Sequence, residues 1–207
     1  MQLAFLGGTG RTGQFLINQA LDRGHTLRVL ARTPSKVQQR HPGLTVVSGD
    51  ARDRDALSSL VEGSDALLSA LGPTAGAPHD TMTLSAQHLV DVLPAHDVRR
   101  IITLTGAGVP HPGDRPKPVD HLIRLLLNLT QPAVLHDATG HVDLIRRSPL
   151  EWTVVRAPRL TDGPVRPVQA GPVGTIRPFV TRASVAAFML DQLTTDAHLR
   201  QAPAISN

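Results

Sequence analysis

Cysteine is absent from this 207-residue chain, and so is tyrosine. The first absence excludes disulfides, thiolate nucleophiles and cysteine-built zinc centres. The second removes the phenol as a proton donor. Aromatic residues make up only 2% of the chain, which leaves no platform for stacking unpaired bases. Lysine is nearly missing: Lys36 and Lys117 are the only two, so arginine carries the basic side of a net charge of +4. Arginine binds phosphate and carboxylate through a planar fork but does not shuttle protons near neutrality. The arginines are scattered, with no basic run longer than two residues, so nucleic acid is not an expected partner. No apolar run approaches the roughly 20 residues that cross a bilayer. The best stretch, 122–129, is interrupted by Arg124 and Asn128. The first residues lack the basic opening of a signal peptide. A cytoplasmic protein with no membrane partner is expected.

What is present suits one folded domain. The hydrophobic fraction is 41% and the mean hydropathy is −0.06, enough for a core within a single unit of this length. Strand-like and helix-like stretches alternate with short links. Apolar residues 2–6 run into glycine, residues 10–23 have helical spacing closed by Gly24, and residues 25–31 alternate like a strand. Further strands are expected at 44–48, 65–71, 98–105 and 151–156. Helices are expected at 53–62, 81–95, 121–130, 133–147 and 184–193. This is the pattern of a parallel sheet covered on both faces, an α/β, Rossmann-type doubly wound fold in one domain. Pro- and Gly-rich segments follow the fifth and sixth strands. They make substrate-side loops at about 106–135 and 157–180, where the carboxyl ends of parallel strands bind ligands.

The stretch LGGTGRTGQF, residues 6–15, bridges the first strand and the first helix. Gly7, Gly10 and Gly13 recur at every third position, with Gly8 beside them. One glycine permits the tight turn, another admits a phosphate to the backbone, and Gly13 lets helix and strand pack closely. The uncovered N–H groups and partial positive charge of the helix start suit a pyrophosphate. Thr9 and Thr12 add hydroxyls and Arg11 a cation. A glycine pattern placed between a strand and a helix in a repeating βα chain marks a dinucleotide site.

The second strand ends at Ala31-Arg32-Thr33, with Lys36 close behind. No acid stands there to hold a ribose 2′-hydroxyl, and two cations stand ready for a 2′-phosphate, so NADP(H) is expected over NAD(H). Asp50 ends the third strand, beside Ala51. It is placed either to accept the adenine amino group or to cap the next helix. Ser69 to Gly72 would lie beneath the nicotinamide ribose, and Thr105 to Ala107 near the ring. Polar candidates for the chemistry are Thr105, Asp137 and His141. The last two share a helix face and make either a pair that orients and charges an imidazole or a structural hydrogen-bonded pair. Arg156 and Arg159 follow the sixth strand and are candidates for an acidic substrate, for a cofactor phosphate or for a structural bond. The histidines show no metal-ligand spacing and no G-x-S-x-G elbow is present. No metal is expected.

GGTGRTG, VLARTPSK, VVSGDARD, LLSALGP, ITLTGAG, SPLEWTVVRAP and FMLDQLTTD follow one another along nearly the whole chain. In that order they resemble the atypical short-chain dehydrogenase/reductases related to biliverdin-IXβ reductase/flavin reductase and, more distantly, the NmrA-like NADP-binding proteins. The resemblance implies that Gly7, Gly10, Arg11, Thr12 and Gly13 hold the pyrophosphate and Arg32 the 2′-phosphate. It implies that Asp50 and Ala51 contact adenine, and Leu71 and Gly72 the nicotinamide ribose. Two positions depart from the reductase pattern. Thr105-Gly106-Ala107 replaces Thr-Ser-Ala, and Arg159 stands where the reductase has a histidine. Ordinary short-chain dehydrogenases protonate an alkoxide through Tyr-x-x-x-Lys, which a chain without tyrosine cannot do. The expected activity is therefore NAD(P)H-dependent reduction of a conjugated small-molecule acceptor: a flavin, quinone or linear tetrapyrrole. The alternative is a non-catalytic, NmrA-like NADP(H) sensor. A monomer or homodimer suits either.

Overall fold

The computed structural model describes residues 1–74 and 76–207. Six parallel strands form its centre: β1 (Gln2–Leu6), β2 (Thr26–Ala31), β3 (Leu44–Ser48), β4 (Ala66–Ser69), β5 (Arg100–Gly106) and β6 (Glu151–Ala157). Three helices complete the first half: α1 (Arg11–Asp22), α2 (Arg54–Val61) and α3 (Thr81–Ala95). The second half adds α4 (Pro118–Thr130), α5 (Pro132–Arg147) and α6 (Arg182–Asp191). Four three-residue strands join them: β7 (Arg159–Thr161), β8 (Gln169–Gly171), β9 (Phe179–Thr181) and β10 (Ala204–Ser206). The main sheet runs β3-β2-β1-β4-β5-β6-β10-β8, and β7 pairs with β9 alone. The strand order reverses between β1 and β4, which opens a crevice above their carboxyl ends.

Side-chain alternation sorts the strands into two cores. On β1, Leu3 and Phe5 face the layer of α1 and α6, packing with Leu16, Ile17, Val185 and Met189. Ala4 and Leu6 face the layer of α2, α3 and α5, packing with Leu57, Leu89, Ile145 and Trp152. Every β4 residue is buried, as expected for a central parallel strand covered on both faces.

The six long strands lie within a few residues of their expected places. The Pro- and Gly-rich stretch 158–178 leaves room for short strands only, and β7 and β8 are such strands; β9 and β10 have no counterpart in the sequence reading, because three residues show no period. One of them, β10, pairs in parallel with β6 through Ala204 and Arg156 and extends the sheet outward. The apolar helix 121–130 begins earlier, at Pro118, with the Asp120 carboxylate accepting from the Lys117 backbone N–H at 2.8 Å. It lies outside the core: α4 has no buried residue, and Leu122, Leu126 and Leu129 are exposed.

Candidate active site

The helix starts differ in how their first N–H groups are used. In α2 the Asp53 carboxylate accepts from Asp55 and Ala56. In α6 the Thr181 hydroxyl accepts from Ser184. Helix α1 opens on Gly10 with no side-chain cap and no acid in its first turn. Its first intrahelical bond runs from the Gln14 N–H to the Gly10 carbonyl at 3.0 Å, so the N–H groups of Arg11, Thr12 and Gly13 precede the ladder. That is the geometry of an anion site.

The glycines of this corner divide by what demands them. Gly7 has φ +78°, and a Cβ on it would lie 2.5 Å from the Ala70 backbone. A Cβ on Gly13 would overlap the Gly7 carbonyl oxygen, and one on Gly8 would strike Val29 and Ile17. Close packing of β1, α1 and β4 therefore requires all three. A Cβ on Gly10 would meet only the Gly7 oxygen, at 3.3 Å. Gly10 is exposed at the crevice, so of the four it is the one whose side chain the fold resists least.

The crevice is a cleft of about 970 Å³. At one end it is lined by Gly7, Thr9, Gly10, Arg11 and Thr12, then by Arg32, Lys36, Asp50 and Ala51. Arg11, Arg32 and Lys36 are exposed and form no ion pair among the described residues. Asp50 accepts from the Arg52 backbone N–H at 2.9 Å, while Asp53 caps α2, so capping leaves Asp50 free to face the cleft. In the middle lie Leu71, Gly72, Thr105 and Gly106. Thr105 is buried and its Oγ1 has no hydrogen-bond partner among the described residues, a cost that a bound group removes. At the far end the wall is apolar: Leu127 of α4, Val134, Leu135, Pro158 and Leu160.

Three sequence expectations change here. Asp137 and His141 share α5 but do not bond each other. The Asp137 carboxylate accepts from the Met82 and Thr83 backbone N–H groups at 3.0 and 2.7 Å, capping α3 from across the interface. The His141 ring is 1% exposed and off the cleft wall. Its Nδ1 lies 3.2 Å from the Met82 carbonyl and its Nε2 2.8 Å from Thr103 Oγ1. A carbonyl only accepts, so Nδ1 carries the proton and Nε2 accepts from Thr103. Burial pushes the imidazole below its ordinary value, against the raising effects of the Met82 carbonyl and Asp137. Neutral, saturated and enclosed, His141 is not an acid–base group for the cleft.

Arg159 also falls away. At the start of β7, Pro158 before it and Leu160 within it line the cleft, whereas Arg159 between them is exposed elsewhere. Arg156 is structural. It is 1% exposed and forks onto Asp114 at 2.6 and 2.7 Å, with further bonds to the Val109 and Ala202 carbonyls. Burial pushes the Asp114 carboxyl up. The bonds from Arg156 and from the Val173 and His111 backbones outweigh this and hold it below its ordinary range. The cleft instead presents two residues the sequence did not single out: His79, exposed on the segment after β4, and Arg182 at the start of α6. Neither sits in a motif. Among the described residues no group of three or more His, Cys, Asp or Glu is placed to hold a metal, and no helix is long and apolar enough to cross a membrane.

The profile of a family described as NAD(P)H-binding matches residues 7–196. This chain belongs to that NAD(P)H-binding family. A nicotinamide cofactor is thus the group that the bare α1 start, the open Gly10 and the unpaired cations fit. Among curated proteins, the 3β-hydroxysteroid dehydrogenase/Δ5→4-isomerase of Mycobacterium tuberculosis is 41% identical over 61 residues, 30% of this chain and 16% of that protein. The chain thus aligns with under a fifth of that relative's length. Two solved structures share the fold over the whole chain. One is the oxidoreductase YlbE of Lactococcus lactis, with TM-score 0.82, 16% identity and 91% of that chain covered. The other is ChuY, an anaerobilin reductase of Escherichia coli O157:H7, with TM-score 0.81, 18% identity and 97% covered. The family assignment and these neighbours make the chain an NAD(P)H-binding protein with a Rossmann-type fold.

Proposed function

We propose that the protein is an NADPH-dependent reductase of a flat, conjugated acceptor: a flavin, quinone or linear tetrapyrrole. One observation carries this reading. A single cleft joins a cationic corner to an apolar end; the buried acid on its wall, Asp137, is taken up by the Met82 and Thr83 N–H groups, so among the described residues that line it no buried acid or base is free to move a proton. Bound at the corner, the reduced dinucleotide supplies a hydride. The backbone N–H groups of α1 and Arg11 hold its pyrophosphate, and Arg32 and Lys36 take the 2′-phosphate. Asp50 and Ala51 flank adenine, Leu71 and Gly72 the ribose, and Thr105 and Gly106 the ring. A Cβ on Gly106 would have room, its nearest neighbour being Gly108 N at 4.0 Å, so the missing side chain leaves space beside the ring. Leu127, Leu135 and Leu160 present an apolar wall to an acceptor and exclude water from it. An acceptor that spreads charge through conjugation needs no adjacent donor and draws its proton from water. The fold shared with an anaerobilin reductase supports this class. A sensor that never turns over would use the cationic corner but gives the apolar end no occupant.

The test is oxidation of NADPH by a panel of flavins, quinones and linear tetrapyrroles, followed at the nicotinamide absorbance band. Turnover above blank with at least one acceptor is expected, and none across the panel would overturn the proposal. For the cofactor, Arg32→Glu should weaken NADPH by about tenfold to a hundredfold, the worth of a charge-assisted contact, with little change for NADH. Equal weakening of both would show that Arg32 does not read the 2′-phosphate.

A further inference from the structure

Arg182 is an unusual residue for its place. It opens α6, where the helix dipole disfavours a cation, and its side chain is only 7% exposed. Its one ion pair, Nη1 to Asp162 Oδ1 at 2.6 Å, is with a carboxylate whose side chain is 73% exposed. The Nε and Nη2 donors bond to no described residue, and the residue lines the cleft. A largely buried guanidinium with one solvated partner keeps two solvent-reachable donors that an anion in the cleft can take. Contrast Arg156, whose three nitrogens all donate. Arg182 opens the helix that packs beside α1, but it lies across the strand-order reversal from the two cations read as 2′-phosphate ligands. Arg32 and Lys36 follow β2, on one side of the strand-order reversal. Arg182 follows β9, whose Val180 pairs with the cleft residue Leu160 of β7. Through β9 and β7 it is joined to the apolar wall that the reductase reading gives to the acceptor.

We infer that Arg182 is a specificity-determining residue that receives an anionic arm, carboxylate or phosphate, carried by the conjugated acceptor. The inference rests on the reductase reading above. The acceptor's flat part lies against Leu127, Leu135 and Leu160, and its anionic arm reaches the open side of the Arg182 fork. Asp162 holds the guanidinium in place and at the same time competes with the arm for its charge.

Matched acceptors with one ring system and different arms test this. FMN and riboflavin differ by a phosphate, and biliverdin and its dimethyl ester by two carboxylates. The readouts are the ratio of kcat/KM within each pair and calorimetric binding of each compound to protein saturated with NADP+. Wild-type protein should favour the anionic member. Arg182→Gln should collapse that preference by about tenfold or more. Asp162→Asn, at a solvated position that the fold tolerates, should raise it. A residue that only latches β7 to α6 would move both members of a pair equally, and the two variants would act in the same direction. Either result overturns the inference while leaving the reductase reading intact. The preferred pair tells phosphate from carboxylate. Wild-type protein that neither binds nor reduces any of the four overturns the inference, and the quinones of the wider panel then decide the reductase reading.

Discussion

The two ends of the cleft are made of different materials. At the β1–α1 corner the shape is main chain: three glycines forced by packing, one left open, and a helix start with no cap. Beyond β6 the shape comes from side chains and ion pairs brought from distant parts of the sequence. Asp114 ties a loop to Arg156 of β6 and to the backbone of Val173, and Arg182 meets Asp162. The first construction suits a cofactor whose phosphates never change. The second lets the acceptor pocket vary while the corner stays constant.

This contrast predicts where each end breaks. The largest loss should come from Asp114→Ala, which strands a buried arginine at a cost of about 3–5 kcal/mol. Chemical denaturation should show it, and a variant as stable as wild type would mean that the outer segments do not depend on the Arg156 fork. At the corner, Gly13→Ala should cost about 1–3 kcal/mol through overpacking against the Gly7 carbonyl. Gly10→Ala should instead keep nearly wild-type stability and weaken NADPH by about tenfold. Equal destabilisation by both would erase the distinction between packing glycines and the open one.

A smaller effect is set by pH. The folded chain keeps His141 neutral, below its ordinary 6.5, while the unfolded chain takes up the proton. The contribution is fully present above 6.5 and is lost progressively as pH falls from there through the lower folded value. Melting temperature should therefore drop as pH falls below 6.5, less steeply in His141→Gln. His25, His111 and His198, also held low, keep the variant's curve from becoming flat. Parallel curves would show that His141 is not enclosed. The smallest effect belongs to α4. Leu126→Gln or Leu129→Gln should change stability by no more than about 0.5 kcal/mol, because these side chains are mostly exposed. A large drop in melting temperature would give α4 a partner within the fold.

The same contrast explains how much could be read in the residues. The glycine corner, Arg32, Asp50 and the βα alternation are written in runs of ten or so residues, and short-range spacing reveals them. Asp137 and His141 were visible as a pair but misleading as one. Their spacing shows a common face, whereas their partners come from α3 and β5, 54 and 38 positions away. Arg156 and Arg159 are three apart, yet one is buried in the sheet and the other faces away from the cleft, which follows from strand pairing and not from spacing. Arg182 had no local signal at all, since its meaning depends on Asp162 and on the pairing of β7 with β9. The three-residue strands have no readable bounds in the residues, because backbone pairing, not side-chain pattern, creates them.

The buried indole of Trp152 has a practical corollary. It is the chain's single tryptophan, and no tyrosine accompanies it. Near-ultraviolet emission thus originates from one ring, 5% exposed among the residues of α3 and α5 and absent from the cleft wall. Reduced pyridine nucleotide absorbs where that ring emits, so its docking should register as energy transfer, without contact quenching. Loosening of the layer that covers the sheet should register as a red shift. The molecule carries separate optical reporters for occupancy and for integrity, with no label added.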